Sequence, residues 1–156
     1  MAQARSPAAR ILIVTPEIAH LPAGMGTNAG QIRMGPYGVA NTAAELVTSL
    51  LHCGLDVHVA LPNYRRLFYS GPAKTYWQDS TSHAFEDGER IHLAQDRYLF
   101  YLGLEETGRV VRNREMSLAF QREVINHIIP SVRPDLIHCL DWTTGLIPAL
   151  ARERRI

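Results

Sequence analysis

The sequence predicts an α/β fold, a parallel sheet with flanking helices, and three observations lead there. Continuous β-branched runs such as Arg10-Ile11-Leu12-Ile13-Val14-Thr15 have the composition of strands buried on both faces. Segments with apolar residues every three to four positions alternate with these runs, as amphipathic helices require. The order strand, loop, helix, glycine, strand between Arg10 and Leu61 is the grammar of a βαβ unit.

Taken in order, Pro16 ends the first strand. Residues 20–38 are rich in glycine and poor in large apolar side chains, so they are expected to form a long loop, a feature that is often functional. Across residues 39–51 the period becomes helical, with Val39, Ala43, Leu46 and Leu50 on one face. Asn41 or Thr42 is placed to cap an early turn, and Gly54 to stop the helix. Residues 56–61 form a second strand that ends at Pro62, and residues 63–88 show no steady period. Residues 90–93 and 98–102 look like two further strands. Residues 113–129 are expected to be helical, with Phe120, Val124 and Ile128 on one stripe and Leu118, Ile125 and Ile129 beside it, until Pro134 blocks continuation. Residues 135–140 read as another buried strand, and residues 143–154 as a last helix. Residues 1–9 are expected to be a flexible segment and residues 10–156 one domain. The chain stops at Ile156 directly after a helix, where a doubly wound sheet places another strand. That reads as a cut, with one sheet edge left unfinished.

Composition narrows the function classes. Hydrophobic residues make up 46% of the 156 positions and charged residues 20%, which is globular rather than disordered. A formal charge of +1 gives no electrostatic reason to expect nucleic acid or an anionic membrane as partner. No window approaches the roughly 18 consecutive apolar residues of a membrane span, and the first ten residues carry no apolar signal-peptide core. The simplest compartment is therefore the cytoplasm. Cys53 and Cys139 are far apart and lack a CxxC partner, so each is expected to act as a small buried hydrophobe. The seven histidines show no HxH, HExxH or cysteine-paired spacing, so no metal site is expected. Neither a cofactor nor a covalent nucleophile is signalled, since GxSxG and Cys–His arrangements are lacking.

In open α/β sheets ligands bind at the carboxyl ends of the strands, and three segments are expected to meet there. Glu17 follows the first strand; it is either a solvated strand-end acid or an acceptor of hydrogen bonds from sugar hydroxyls. Gly35 and Gly38 precede a helix, where they form a simple turn or let the backbone approach an anion at the helix N-terminus. Neither a P-loop nor a GxGxxG is present. Asp141 and Trp142 follow the strand at 135–140. Asp141 is either the N-cap of the next helix or, with the Trp142 ring, half of a sugar-binding pair. His138 lies inside an apolar strand and reads as a satisfied core histidine rather than a base.

Together these segments resemble the start of bacterial glycogen synthases and plant starch synthases. Arg10-Ile11-Leu12-Ile13-Val14-Thr15-Pro16-Glu17 resembles that family's opening strand, and residues 39–46 resemble the stretch after its Lys-x-Gly-Gly loop. Gly54-Leu55-Asp56-Val57-His58-Val59 with Leu61-Pro62-Asn63-Tyr64 is similar to its "Gly-His-Asp-Val … Leu-Pro-x-Tyr" segment. Residues 134–146, from Pro134 and Asp135 through His138, Asp141 and Trp142 to Gly145 and Leu146, resemble "Pro-Asp-x-x-His-x-x-Asp-Trp-x-x-Gly-Leu", the most specific of the four. The resemblance implies a GT-B fold, in which two Rossmann-like domains close around a cleft. It implies the acceptor-side domain of a retaining α-1,4-glucan synthase that uses ADP-glucose or another nucleotide-glucose and extends a glycogen- or starch-like chain. On this reading Glu17, Asp141 and Trp142 line the sugar site, while Arg33, Gly35, Gly38 and Asn41 form the donor-phosphate loop. The loop departs from the family pattern. Its lysine has no clear counterpart, with Arg33 the nearest cation, Tyr37 replaces the first glycine of the pair, and Asn41 replaces an aspartate. No complete catalytic set is expected within this chain, because the family's Arg/Lys pair and catalytic-region carboxylate belong to its C-terminal domain. The isolated chain is therefore expected to be inactive. Two other readings stay open: a stand-alone glucan-binding or pseudoenzyme protein of the same fold, and another GT-B enzyme of the sucrose- or trehalose-synthase type.

Overall fold

The structure, a computed structural model, describes residues 8–26, 29–32, 38–64, 90–100 and 110–154. Four strands, β1 (Arg10–Val14), β2 (Asp56–Pro62), β3 (Ile91–Ala94) and β4 (Leu136–Cys139), form a parallel sheet in the order β3-β2-β1-β4. Ile13 of β1 sits opposite Val59 on one side and His138 on the other. β1 is therefore interior to the sheet, and its Leu12, Ile13 and Val14 are completely buried. Burying each such side chain contributes about 2 kcal/mol, which is why the β-branched run specifies this strand so strongly.

Strand alternation sends β1 residues to two different cores. Ile11 and Ile13, with Val57, Val59, Leu61, Ile91 and Leu93, face helix α1 (Val39–His52). Leu12 and Val14, with Ala60 and Ala94, face α3 (Val110–Glu123), α4 (Ile129–Val132) and α5 (Ile147–Arg154). A short helix, α2 (Arg97–Phe100), follows β3. This is the Rossmann-like arrangement that the sequence predicts, a parallel sheet between two helical layers.

Several local expectations are corrected. The buried stripe of α1 is Ala40, Ala43, Ala44 and Val47, while Leu46 and Leu50 pack at its margin. Small alanines let the helix approach the sheet closely, so they occupy the centre that larger apolar residues were expected to fill. Asn41 and Thr42 lie within α1; its N-cap is Gly38, with no side-chain cap hydrogen bond. Cys53 is exposed at the C-cap of α1, and Cys139 is partly buried on β4. The glycine-rich segment after β1 carries Ile18, Leu21, Met25 and Ile32 into the α1-side core, and Arg90 N–H donates to the Met25 carbonyl at 2.9 Å. It is thus anchored in the core at Leu21, Met25 and Ile32.

Residues 97–100 are helical rather than extended, because Asp96 caps them: its carboxylate accepts from Tyr98 N–H at 2.9 Å and its carbonyl from Leu99 N–H at 2.9 Å. The carboxylate also pairs with Arg122 of α3. Residues 101 and 102 of the expected strand lie outside the described residues. The helix expected over 113–129 contains a π-helical turn, Val124–Ile128, before α4. Ile129 N–H reaches back five residues to the Val124 carbonyl. Pro130 explains the widening: it has no N–H to give residue 126, and its ring clashes with that carbonyl in a regular α-turn. Arg133, at φ 50°, ends α4, and Pro134 prevents restart. Leu118 is exposed, off the buried stripe of α3.

β4 is an outer strand among the described residues, and its burial alternates instead of being continuous. Leu136, 51% exposed, and His138 point to the α1 side of the sheet, where α1 covers β1 and β2 rather than β4. His138 is accordingly exposed and is not a core histidine. The last helical segment is a 3-10 turn, Trp142–Thr144, followed by α5, rather than one helix. Among the described residues no helix is long and apolar enough to cross a membrane.

Candidate active site

The strand order fixes where a ligand fits. From β1 the chain moves to β2 and β3 on one side, and β4 returns to the other side of β1. The connections leaving β1 and β4 therefore diverge, and the crevice between them is the topological switch point, the usual binding site of such sheets. Glu17 leaves β1 into this crevice and Asp141 leaves β4 into it.

Each is held by its own local geometry. After β1, Thr15 is fully buried and its hydroxyl donates to the Glu17 carbonyl at 2.8 Å, turning the chain. Ala19 N–H then donates to the Ala40 carbonyl at 3.0 Å, which ties this turn to the start of α1. After β4, Asp141 takes φ 72°, ψ 156°, a backbone region that is favourable only for glycine. Such a conformation costs on the order of 1–3 kcal/mol and persists only where its surroundings over-determine it. Those surroundings are explicit: the Asp141 carboxylate accepts from Thr143 N–H at 3.0 Å. The buried Thr144 hydroxyl bridges the Leu140 and Asp141 carbonyls at 2.9 Å each. Asp141 is thus an N-cap, one of its two expected roles, and it also lies beside a second acid. Trp142, the next residue in the chain after Asp141, is 63% exposed.

The electrostatics tie three residues together. Glu17 is raised above the ordinary carboxylate value, first by burial and then by the negative charge of Asp141. Tyr64, two residues past the end of β2, has its phenol pushed far above its usual value by burial, with Glu17 and Asp141 adding to the effect. Two carboxylates and a phenol beside an exposed indole can accept and donate several hydrogen bonds while stacking on an apolar ring face. That combination suits a polyhydroxylated ligand such as a sugar.

Of the expected site residues, Glu17, Asp141 and Trp142 come to one end of the sheet. Gly38 is the N-cap of α1, with φ 55°, ψ −120°. A Cβ there meets nothing within 4 Å, so the backbone conformation, and not lack of space, demands glycine. Asn41 lies exposed in the first turn of α1. Arg33 and Gly35 lie outside the described residues. In the sequence Tyr64 stands out only as part of a motif, and Ser117 and Gln121 do not stand out at all. These two are buried on α3: Ser117 Oγ donates to the Thr143 carbonyl at 2.8 Å, Gln121 Nε2 donates to Ser117 Oγ at 2.9 Å, and Gln121 Oε1 accepts from Leu146 N–H at 2.7 Å. They grip the turn that carries Asp141 and Trp142. The available signal was a polar pair four residues apart beside the apolar stripe of a helix.

Comparison with known proteins identifies the chain's relatives. The chain is 30% identical to a glycogen synthase of Cellvibrio japonicus (strain Ueda107) over 134 residues, which cover 72% of the chain and 28% of that protein. It is 25% identical over 139 residues to a glycogen synthase of Aliivibrio salmonicida (strain LFI1238), covering 80% of the chain and 28% of the relative. It is 28% identical over 136 residues to one of Geobacillus thermodenitrificans (strain NG80-2), covering 75% and 27%. The chain therefore spans little more than a quarter of the length of the curated relatives it matches. No solved structure matches it. The family model described as "Starch synthase catalytic domain" matches residues 10–156, almost the whole chain, and so the chain belongs to the starch synthase catalytic-domain family.

Proposed function

We propose that this chain is the acceptor-side domain of a retaining α-1,4-glucan synthase, which transfers glucose from ADP-glucose to the end of a glycogen- or starch-like chain. The observation that carries the reading is the pair of acids, Glu17 and strained Asp141, set at the switch point of the sheet with exposed Trp142 following in the chain. The carboxylates accept hydrogen bonds from glucan hydroxyls, and the indole packs on the C–H face of a glucose ring. Hydrogen-bond donors placed between Glu17 and Asp141 relieve their mutual repulsion, so a hydroxylated ligand is favoured over an anion. Further round the same end, Gly38 leaves the α1 N-terminus without a side-chain cap, and its N–H groups and positive dipole end suit the donor diphosphate. Arg33, Gly35 and Asn41 complete that loop in this reading. The 156 residues alone are proposed to be inactive, since they span only a fraction of the relatives, and cations that stabilise a leaving diphosphate supply much of such catalysis.

One observation favours a second reading, a glucan-binding protein without transfer chemistry. Around the start of α1 the sequence has Tyr37 and Asn41 where the family has glycine and aspartate, and no clear lysine. The test is transfer by the full-length protein, with labelled ADP-glucose or UDP-glucose and a maltooligosaccharide acceptor. The proposal predicts incorporation from ADP-glucose into a product that an α-1,4-specific amylase degrades. Binding of the acceptor with no incorporation from either donor replaces the synthase with the second reading.

A further inference from the structure

A second cluster of titratable groups lies away from the candidate site, on the sheet face that carries Leu12, Val14 and Ala60. His58 of β2 and His92 of β3 stack there with ring centroids 5.1 Å apart and 24° between their planes. Nδ1 of His58 lies 2.9 Å from Nε2 of His92. Asp56 Oδ1 is 3.5 Å from His58 Nε2, and the same carboxylate is held by Arg10 at 2.9 Å and Arg90 at 3.4 Å. Arg10 from β1, Asp56 from β2 and Arg90 beside β3 are the charged groups that act on His58. On the opposing helical layer, Glu123 and His127 lie 3.8 Å apart and pair with each other.

A hydrogen bond between two imidazoles needs one N–H and one lone pair. The neutral pair satisfies this, and so does a pair carrying one extra proton on an outer nitrogen. A second proton turns both facing nitrogens into donors, and the bond is lost. Arg10 and Arg90 share the Asp56 carboxylate that draws a proton to His58, and their own charges oppose that proton. We propose that His58 and His92 form an acid-sensitive latch that fastens β3 to β2. The latch has a mechanical consequence. Just past it, Asn63 N–H donates to the Ala94 carbonyl at 3.1 Å, and the Asn63 amide donates to Gln95 Oε1 at 3.0 Å. Opening the β2–β3 pair therefore releases the segment that brings Tyr64 to the other end of the sheet.

The direction of the pH effect follows from the rings' surroundings. Burial is the first cause that lowers His58, with Arg10 and Arg90 adding to it against the pull of Asp56. Burial, then His58, pushes His92 down to about 4 from 6.5. Both folded values lie below the unfolded one, so the latch's contribution is complete above about pH 6.5 and is lost as the pH falls toward 4.

The test is equilibrium unfolding of the full-length protein between about pH 7.5 and 4.5, beside His92→Gln and His58→Gln. Between about pH 6 and 4.5 the unmutated protein is expected to lose close to tenfold in its folding equilibrium constant per pH unit beyond what His92→Gln loses, the mark of one extra proton taken up on unfolding. Equal slopes in all three proteins overturn the latch. Imidazole NMR titration of the unmutated protein decides the matter if the variants do not fold. One ring titrating well below 6 supports the latch, and two rings titrating independently near 6.5 exclude it.

Discussion

At the scale of single residues, the candidate site depends on Asp141 holding a backbone that glycine would adopt more easily. Its two roles, capping the Trp142–Thr144 turn and placing charge near Glu17, are separable by substitution. Asn caps about as well as Asp and tolerates positive φ better, so Asp141→Asn should change stability by less than about 0.5 kcal/mol in thermal unfolding. The same change removes one of the causes that raise Glu17, so the Glu17 carboxyl should titrate lower in Asp141→Asn than in the unmutated protein. Glu17's raised value means that its ionisation opposes folding: its contribution is favourable below the unfolded value and is lost as pH rises through the folded one. Glu17→Gln should therefore raise the melting temperature at neutral pH while weakening maltooligosaccharide binding. A lowered melting temperature with unchanged binding would make Glu17 a structural residue only.

At the scale of elements, α3 acts as a clamp on the β4–α5 turn. Ser117 and Gln121 satisfy the Thr143 carbonyl and the Leu146 N–H, which otherwise lack these partners. Gln121→Leu should cost about 1–3 kcal/mol of stability by leaving the Leu146 N–H unpaired. It should also weaken glucan binding, because the turn holding Asp141 and Trp142 loosens; an intact affinity at reduced stability would confine Gln121 to the core. The central strands were legible in the sequence because β1 and β2 are buried on both faces, and buried strands leave continuous β-branched runs. β4 gave the same apolar pattern, yet among the described residues it is an outer strand with Leu136 and His138 exposed, since a strand's composition does not reveal what lies beside it. Residues 97–100 carry β-forming Tyr98, Leu99 and Phe100, and the Asp96 cap overrode that propensity. The 3-10 turn at Trp142–Thr144 was hidden because Asp141 caps a short turn with the same chemistry as a long helix. At the site, Glu17, Asp141 and Trp142 were legible as strand-end residues. Ser117 and Gln121 were not, since their partners are backbone groups distant in sequence.

At the scale of the whole molecule, the order β3-β2-β1-β4 with helices on both faces is the architecture expected of a GT-B domain, and family membership agrees with it. Its two ends have different chemistry. The amino ends of the strands carry the Arg10–Asp56 network, in which Arg10 also donates to the Val132 carbonyl at 2.8 Å and pins the end of α4. The carboxyl ends carry the acids, the phenol and the exposed indole. This separation keeps a charged structural staple away from the end that holds Glu17 and Asp141. The account stands most directly on glucan binding through Trp142. Calorimetric titration of maltoheptaose into the full-length protein and into Trp142→Ala tests it, with circular dichroism to check folding. Loss of about 1–1.5 kcal/mol of stacking predicts roughly tenfold weaker binding by a folded variant. Equal affinity in the two proteins would contradict the assignment of this end of the sheet to the glucan.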